Sequence, residues 1–318
     1  MTKGIKEREE GRRECFGSKK IDPYKRYRHL YGLIDKYWNR SEEDTSCLYH
    51  YTKPHVVEAL LKDGGDIGCV PINKLDDREE MELGLSGFIR YLADDCRWPS
   101  RHLNAIEELR AKMDYAPLTA SFCYKPDSAY QWKTYCPNPN GGMALGFRRN
   151  DLFAAVNRIC ATAPKPGDLD CNTAVFLPCF YEGVHDIKAV YRAWFADNIC
   201  WFSKFRQNPF PDLHDASLVM STMVCASVCI KRKDFQDEHE FRIVKFRSRL
   251  GRELERIDAS KVMYKSGISN VTAGGFRSLV GLIAVGPYGD QRALCEKGRS
   301  MSEKYKIPLF GSSVVSEE

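Results

Sequence analysis

The residues with most chemical capacity in this 318-residue chain stand in one run, Asp237-Glu238-His239-Glu240-Phe241-Arg242-Ile243-Val244. Side chains of a β-strand alternate between faces, so residues two apart share one. Read as extended, the run puts Glu238, Glu240 and Arg242 on one face and His239, Phe241 and Ile243 on the other. Two adjacent carboxylates can divide labour, one holding a developing positive charge while the other moves a proton. The same pattern equally fits a solvated ladder of ion pairs on an exposed strand face.

Other groups with capacity for chemistry are His50-Tyr51-Thr52, Ser121, and the cluster Tyr130, Trp132 and Tyr135. A histidine ring nitrogen can donate or accept a hydrogen bond. Aromatic rings can form a flat apolar slot. Each also has a structural reading: a strand-end histidine, core aromatics at helical spacing, and a serine bonded locally. Arg242 reads as the partner of a neighbouring acid. The thirteen cysteines are scattered, with only Cys225 and Cys229 within four residues of each other and no CxxC pair. That spacing argues against a structural zinc site and for reduced, mostly buried thiols. No Gly-rich phosphate-binding fingerprint follows a strand, so a bound nucleotide must be held in another way.

The elements that position these residues follow from periodicity. Residues 24–40 predict an amphipathic helix and 47–51 a short strand, with Thr52 as N-cap and Pro54 opening a helix over 55–62. Residues 67–72 read as extended, and 80–113 as helical with a break near Trp98-Pro99. Strands are expected at 118–124 and 143–148, joined by a long connection that carries the aromatic cluster on a short helix. Helix at 151–159, loop at 161–173, strand at 174–183, helix at 186–206 and loop at 207–215 come next. The apolar run 219–229 leans to helix and 241–247 to strand, while 254–264 alternates only weakly. A strand at 279–285, a turn, a short helix from Asp290 and a last strand at 306–310 close the chain. Such irregular mixing favours an α+β fold. The composition, 43% hydrophobic and 29% charged, suits one large domain or two smaller ones. No apolar run reaches membrane-spanning length, and the charged start MTKGIKEREEGRRECFGSKK is not a secretory signal, so a cytoplasmic location with no membrane contact is expected. The net charge of +5 permits nucleic-acid contact without arguing for it.

Four motifs in order carry a family resemblance: Leu48-Tyr49-His50-Tyr51-Thr52, then Ser121 with Trp132, Tyr135 and 142–147, then Glu238 to Ile243, then 282–287. This order resembles the bacterial domain-of-unknown-function family 2971 over about residues 47–297, with 1–46 and 298–318 as extensions. Asp76-Asp77 stands where that family usually has Asn-Asp. The motif order is more distantly similar to that of mono-ADP-ribosyltransferases. That second resemblance implies a single mixed α+β domain with a central split β-sheet flanked by helices. It also implies an enzyme that cleaves the nicotinamide–ribose bond of NAD and passes ADP-ribose to a protein or nucleic acid, as a toxin or phage-defence effector. Glu240 would stabilise the ribosyl cation and Glu238 would orient or deprotonate the nucleophile. His50, Tyr51, Thr52, Ser121, Tyr130, Trp132 and Tyr135 would hold NAD, with no metal.

Two rival classes remain. One is a non-catalytic nucleotide- or nucleic-acid-binding module, reaching a polyanion through Lys204, Arg206, Lys231 and Arg232. The other is a metal-dependent nuclease using Asp77, Glu238 and Glu240.

Overall fold

The computed structural model describes residues 28–38, 47–72, 79–112, 117–161, 174–208, 213–245, 256–258, 263–266, 270 and 272–313. The expected loop at 161–173, apart from its first residue, and Asp76 and Asp77 lie outside them. After α1 (Arg28–Trp38) come β1 (Cys47–Thr52), α2 (Pro54–Leu61), β2 (Gly68–Pro71), α3 (Glu80–Asp94) and α4 (Ser100–Lys112). Then follow β3 (Leu118–Cys123), α5 (Ala129–Tyr135), β4 (Met143–Arg148), α6 (Arg149–Ala161), β5 (Ala174–Pro178) and β6 (Phe180–Tyr181). The second half holds α7 (Ile187–Asp197), α8 (Ile199–Gln207), α9 (Leu213–Ser227), β7 (Ile230–Lys231) and β8 (Glu240–Lys245). It ends with β9 (Arg256–Asp258), β10 (Met263–Lys265), β11 (Val280–Val285), α10 (Gln291–Tyr305) and β12 (Leu309–Gly311). The chain is thus a mixed α and β domain whose sheet combines antiparallel pairs with the parallel pair β11–β12.

That sheet has two limbs. β1 pairs with β4 over the whole of both strands, and β4 continues through β11 to β12. β3 pairs with β8 along its full length, and β8 with β5. The limbs meet at one pair, Tyr49 opposite Cys123. Lower down, the same edge of β3 is taken by β2, which pairs Val70 with Thr119. β1 and β2 therefore share one edge of β3, and the strands diverge between them.

Alternation along the paired strands sorts side chains to two faces. Tyr49, Tyr51, Ser121, Cys123, Glu240 and Arg242 share one face through the registers Tyr49–Cys123, Cys123–Glu240 and Ser121–Arg242. α5 lies on that face, where Trp132 packs with Tyr49, Tyr51, Ala144 and Ala284. Leu48, Leu145, Phe147 and Ile283 point to the opposite face and join the main core. α10 lies there, with Gly298 against Val285 and Met143.

Several expected boundaries move for local reasons. Thr52 stays in β1; the N-cap of α2 is Lys53, with Pro54 in the first turn as expected. The helix expected over 186–206 is two, α7 and α8, because Asn198 ends the first: its amide and side chain both bond to Trp194 O. The strand expected over 174–183 divides at Cys179, where the chain leaves β8 and Phe180 pairs with Ile230 of β7. The expected loop 207–215 gives way to α9 from Leu213.

Candidate functional site

Five charged side chains converge beside the junction of the two limbs. Glu240 opens β8, and Arg242, two residues on, shares its face as the alternation predicts. Arg242 donates from Nε to Glu240 Oε1 at 2.8 Å and from Nη2 to Oε2 at 3.0 Å. Its Nη1 reaches Val228 O and Glu80 Oε2, each at 2.6 Å. Lys231, at the end of β7, places Nζ 2.8 Å from Glu240 Oε2 and 2.9 Å from Glu80 Oε1, and also contacts Glu238 Oε2. Cys179 Sγ donates to Glu240 Oε2 at 3.6 Å, and the Glu240 amide donates to the Tyr181 hydroxyl at 3.0 Å. Arg242 is thus a structural partner of the acids, and it is among the most deeply buried side chains of the chain.

The two carboxylates of the Glu-x-Glu motif are not neighbours on a strand. Residues 233–238 form a 3-10 turn, and His239 follows with φ 47° and ψ 49°, the left-handed region. That conformation ends the extended run, so Glu238 reaches Lys231 from the turn and Glu240 from β8. His239 bonds through Nδ1 to the Tyr124 hydroxyl at 2.8 Å.

Their electrostatics diverge. Burial opposes ionising Glu240, but Arg242 and Lys231 overcome it and hold its carboxyl far below the ordinary carboxylate range. Both its oxygens are occupied by cations. Glu238 is pushed up to about 7, by burial first; the attraction of Lys231 is too small to reverse this, and the negative charge of Glu240 adds to the rise. With 12% of its side chain exposed, against 6% for Glu240, Glu238 is the acid nearer solvent.

α5 forms the aromatic edge of this cluster. Ser128 caps it by accepting from the Gln131 amide at 3.4 Å, and Gln131 Nε2 donates to Glu238 O at 2.9 Å, tying the helix to the turn. Tyr130 and Tyr135 are exposed. Both hydroxyls titrate higher than usual, through burial first and then the charge of Glu238. Trp132 is fully buried, donates from Nε1 to Asp127 Oδ1 at 2.7 Å, and meets Tyr51 edge-on with centroids 4.5 Å apart. Gly286 makes room for it: a Cβ there would lie 2.6 Å from the indole. The Tyr51 hydroxyl accepts from the Ser128 amide at 3.0 Å and donates to Lys125 O at 3.3 Å. Tyr51 and Trp132 are therefore packed against each other, which leaves Tyr130 and Tyr135 as the rings open to a ligand.

His50 and Thr52 lie on the other face from Glu240. His50 pairs with Leu145 and Thr52 with Met143, and the His50 ring packs near Phe122 with centroids 5.9 Å apart. His50 donates from Nδ1 to the Ser121 carbonyl at 3.0 Å. Burial lowers its pKa and outweighs the opposing effect of that bond. Ser121 is half-buried across from Arg242.

Glu80 is a member of the cluster that no sequence motif marks. Its signal lay in helical phase: Glu80, Gly84, Phe88 and Tyr91 form one buried stripe of α3. Lys231, read from sequence as a contact for nucleic acid, is withdrawn inside this cluster, whereas Lys204, Arg206 and Arg232 remain exposed.

Residues 131–243 match the family model described as Protein of unknown function (DUF2971). Trp132, Tyr135, Glu238, Glu240 and Arg242 fall inside this stretch; His50, Tyr51, Thr52, Ser121 and Tyr130 fall outside it. Neither a curated protein nor a solved structure matches the chain. Among the described residues, no helix is long and apolar enough to cross a membrane.

Proposed function

We propose that this protein is an ADP-ribosyltransferase-like enzyme that cleaves the nicotinamide–ribose bond of NAD and passes ADP-ribose to a macromolecular acceptor. One observation supports the reading most: Glu238, a rim carboxyl raised to about 7, stands beside the exposed Tyr130 and Tyr135. A base poised near the working pH is suited to proton transfer. In the reaction the ribose C1–nitrogen bond breaks with its electron pair going to nicotinamide, and the sugar passes through a cationic transition state. The acceptor oxygen bonds to C1, and its proton goes to Glu238. Tyr130 and Tyr135 offer ring faces for the nicotinamide. Glu240, saturated by Arg242 and Lys231, keeps Lys231 in place and so sets the charge around Glu238. Glu238 keeps the proton-transfer role expected from sequence, whereas Glu240, expected to stabilise the ribosyl cation, here holds Lys231 instead.

The test is release of free nicotinamide from NAD by the purified chain, with protein and nucleic-acid acceptors supplied. Glu238→Gln should lower release at least about 100-fold, in line with loss of a general base, while NAD affinity measured by calorimetry stays close to wild type. Absence of release by the wild type under all acceptor conditions refutes the proposal.

A second reading is favoured by the saturation of Glu240: a non-catalytic module that binds a nucleotide or nucleic acid on the same face. It predicts binding without turnover, with Arg232→Ala reducing affinity in a salt-dependent way.

A further inference from the structure

We propose that His239 is the positioning residue of this site: its left-handed backbone, pinned by Tyr124, turns Glu238 out of the strand and onto Lys231. The inference rests on the reading of Glu238 as the proton-transfer group, but its test does not need NAD. In an uninterrupted strand Glu238 and Glu240 would stand about 7 Å apart along one face. Here Lys231 contacts both, and the one residue between them takes a left-handed conformation that ends the extended run. Left-handed φ is uncommon outside glycine, with histidine among the more tolerated exceptions, and such outliers concentrate at functional sites.

Contacts on both sides hold this conformation. The Tyr124 amide donates to His239 O at 3.0 Å, extending the β3–β8 ladder by one bond. The Tyr124 hydroxyl bonds to His239 Nδ1, and the two rings meet edge-on at 5.0 Å. Before the turn, the His239 amide donates to Gln236 O at 3.2 Å and Gln131 fixes the Glu238 carbonyl. Around Glu238 stand Lys231 from β7, Glu240 and Arg242 from β8, and Tyr130 and Tyr135 from α5. Tyr181 of β6 and Cys123 of β3 also feel its charge, and Glu80 of α3 shares Lys231 with it.

The experiment is a carboxyl NMR titration of the full chain labelled at glutamate, comparing wild type with His239→Gly, His239→Ala and His239→Val. Glycine accepts the left-handed conformation freely, alanine less readily, and a β-branched residue least. The expected order is Glu238 titrating near 7 in wild type and His239→Gly, lower in His239→Ala, and close to 4.5 in His239→Val. If His239→Val does not fold, the comparison of glycine with alanine decides. Equal titration in wild type, glycine and alanine variants overturns the proposal, as does a glycine variant that falls as far as alanine. Nicotinamide release is measured in parallel. A wild type that releases none refutes the enzymatic reading and leaves the titration result standing, whereas an unmoved titration refutes the positioning role even in an active enzyme.

Discussion

Replacing Glu238 by glutamine removes a carboxyl whose ionisation the fold opposes, and the effect is visible as a change in stability with pH. Between its ordinary pKa of 4.5 and about 7, the folded chain keeps a proton on Glu238 that the unfolded chain has released. Stability therefore falls as pH rises through this window, and the loss is complete above it. At about 1.4 kcal/mol per pH unit, the wild type forfeits about 3 kcal/mol at this one site between about pH 4.5 and about pH 8. Glutamine cannot ionise, so that loss disappears, and its carbonyl still accepts from Lys231, which retains Glu80 and Glu240. Glu240 does not confuse the comparison. Its folded pKa is depressed, so its contribution is present above the unfolded value and is lost only as pH falls into the acid range. The assay is urea unfolding of both proteins from about pH 5 to about pH 9, urea being uncharged and leaving ion pairs unscreened. The stability of Glu238→Gln relative to wild type should rise by about 3 kcal/mol across that range. A difference that stays flat with pH would show that Glu238 is not held protonated, and the argument for a base poised near neutrality would fall with it.

Two further substitutions test how the cluster is built. Glu240→Ala leaves Arg242 and Lys231 buried with Glu80 as their remaining fully buried carboxylate, so it should cost about 3–5 kcal/mol in urea unfolding; a cost under about 1 kcal/mol would mean that the pair is solvated. Gly84→Ala places a Cβ 2.3 Å from Ser227 O in α9 and pushes α3 away, which should cost about 1–3 kcal/mol by thermal unfolding and shift the titration of Glu238 by moving Glu80 off Lys231.

Much of the fold was legible because the signals were local. β3 announces itself by β-branched and aromatic content, and α10 by Asp290, whose carboxylate accepts from the Ala293 amide as an N-cap should. The face shared by Glu240 and Arg242 follows from period two alone. What was not legible depended on contacts between distant segments. Glu238 reads as a strand residue until Tyr124, more than a hundred positions earlier, is found holding His239 in a left-handed turn. Tyr51 and Trp132 look like ligand-stacking rings in sequence, but Gly286 and Asp127 draw Trp132 into the interior, and the choice between slot and core is made by those partners. His50 alternates away from Glu240 by a register that only the β1–β3 and β3–β8 pairings reveal.

The charge balance of the cluster connects these observations. Glu80, Glu238 and Glu240 face Lys231 and Arg242, three carboxylates against two cations. Two acids can be neutralised in a buried setting, and the third is left with a formal excess that burial penalises. Glu240 takes the bidentate guanidinium, so the excess falls on the more exposed acid, Glu238, and appears as its raised pKa. A cationic ligand beside Glu238 would restore the balance and draw it into the ionised form. The nicotinamide ring of NAD is such a cation, and a ribosyl transition state concentrates positive charge still closer to the sugar. Catalysis requires that the second be held more tightly than the first. A binding module and an enzyme could share every residue of this cluster and differ only in whether Glu238 lies nearer the ring or nearer the ribose. That makes the effect of Glu238→Gln on turnover, set against its effect on NAD affinity, the quantity that separates them.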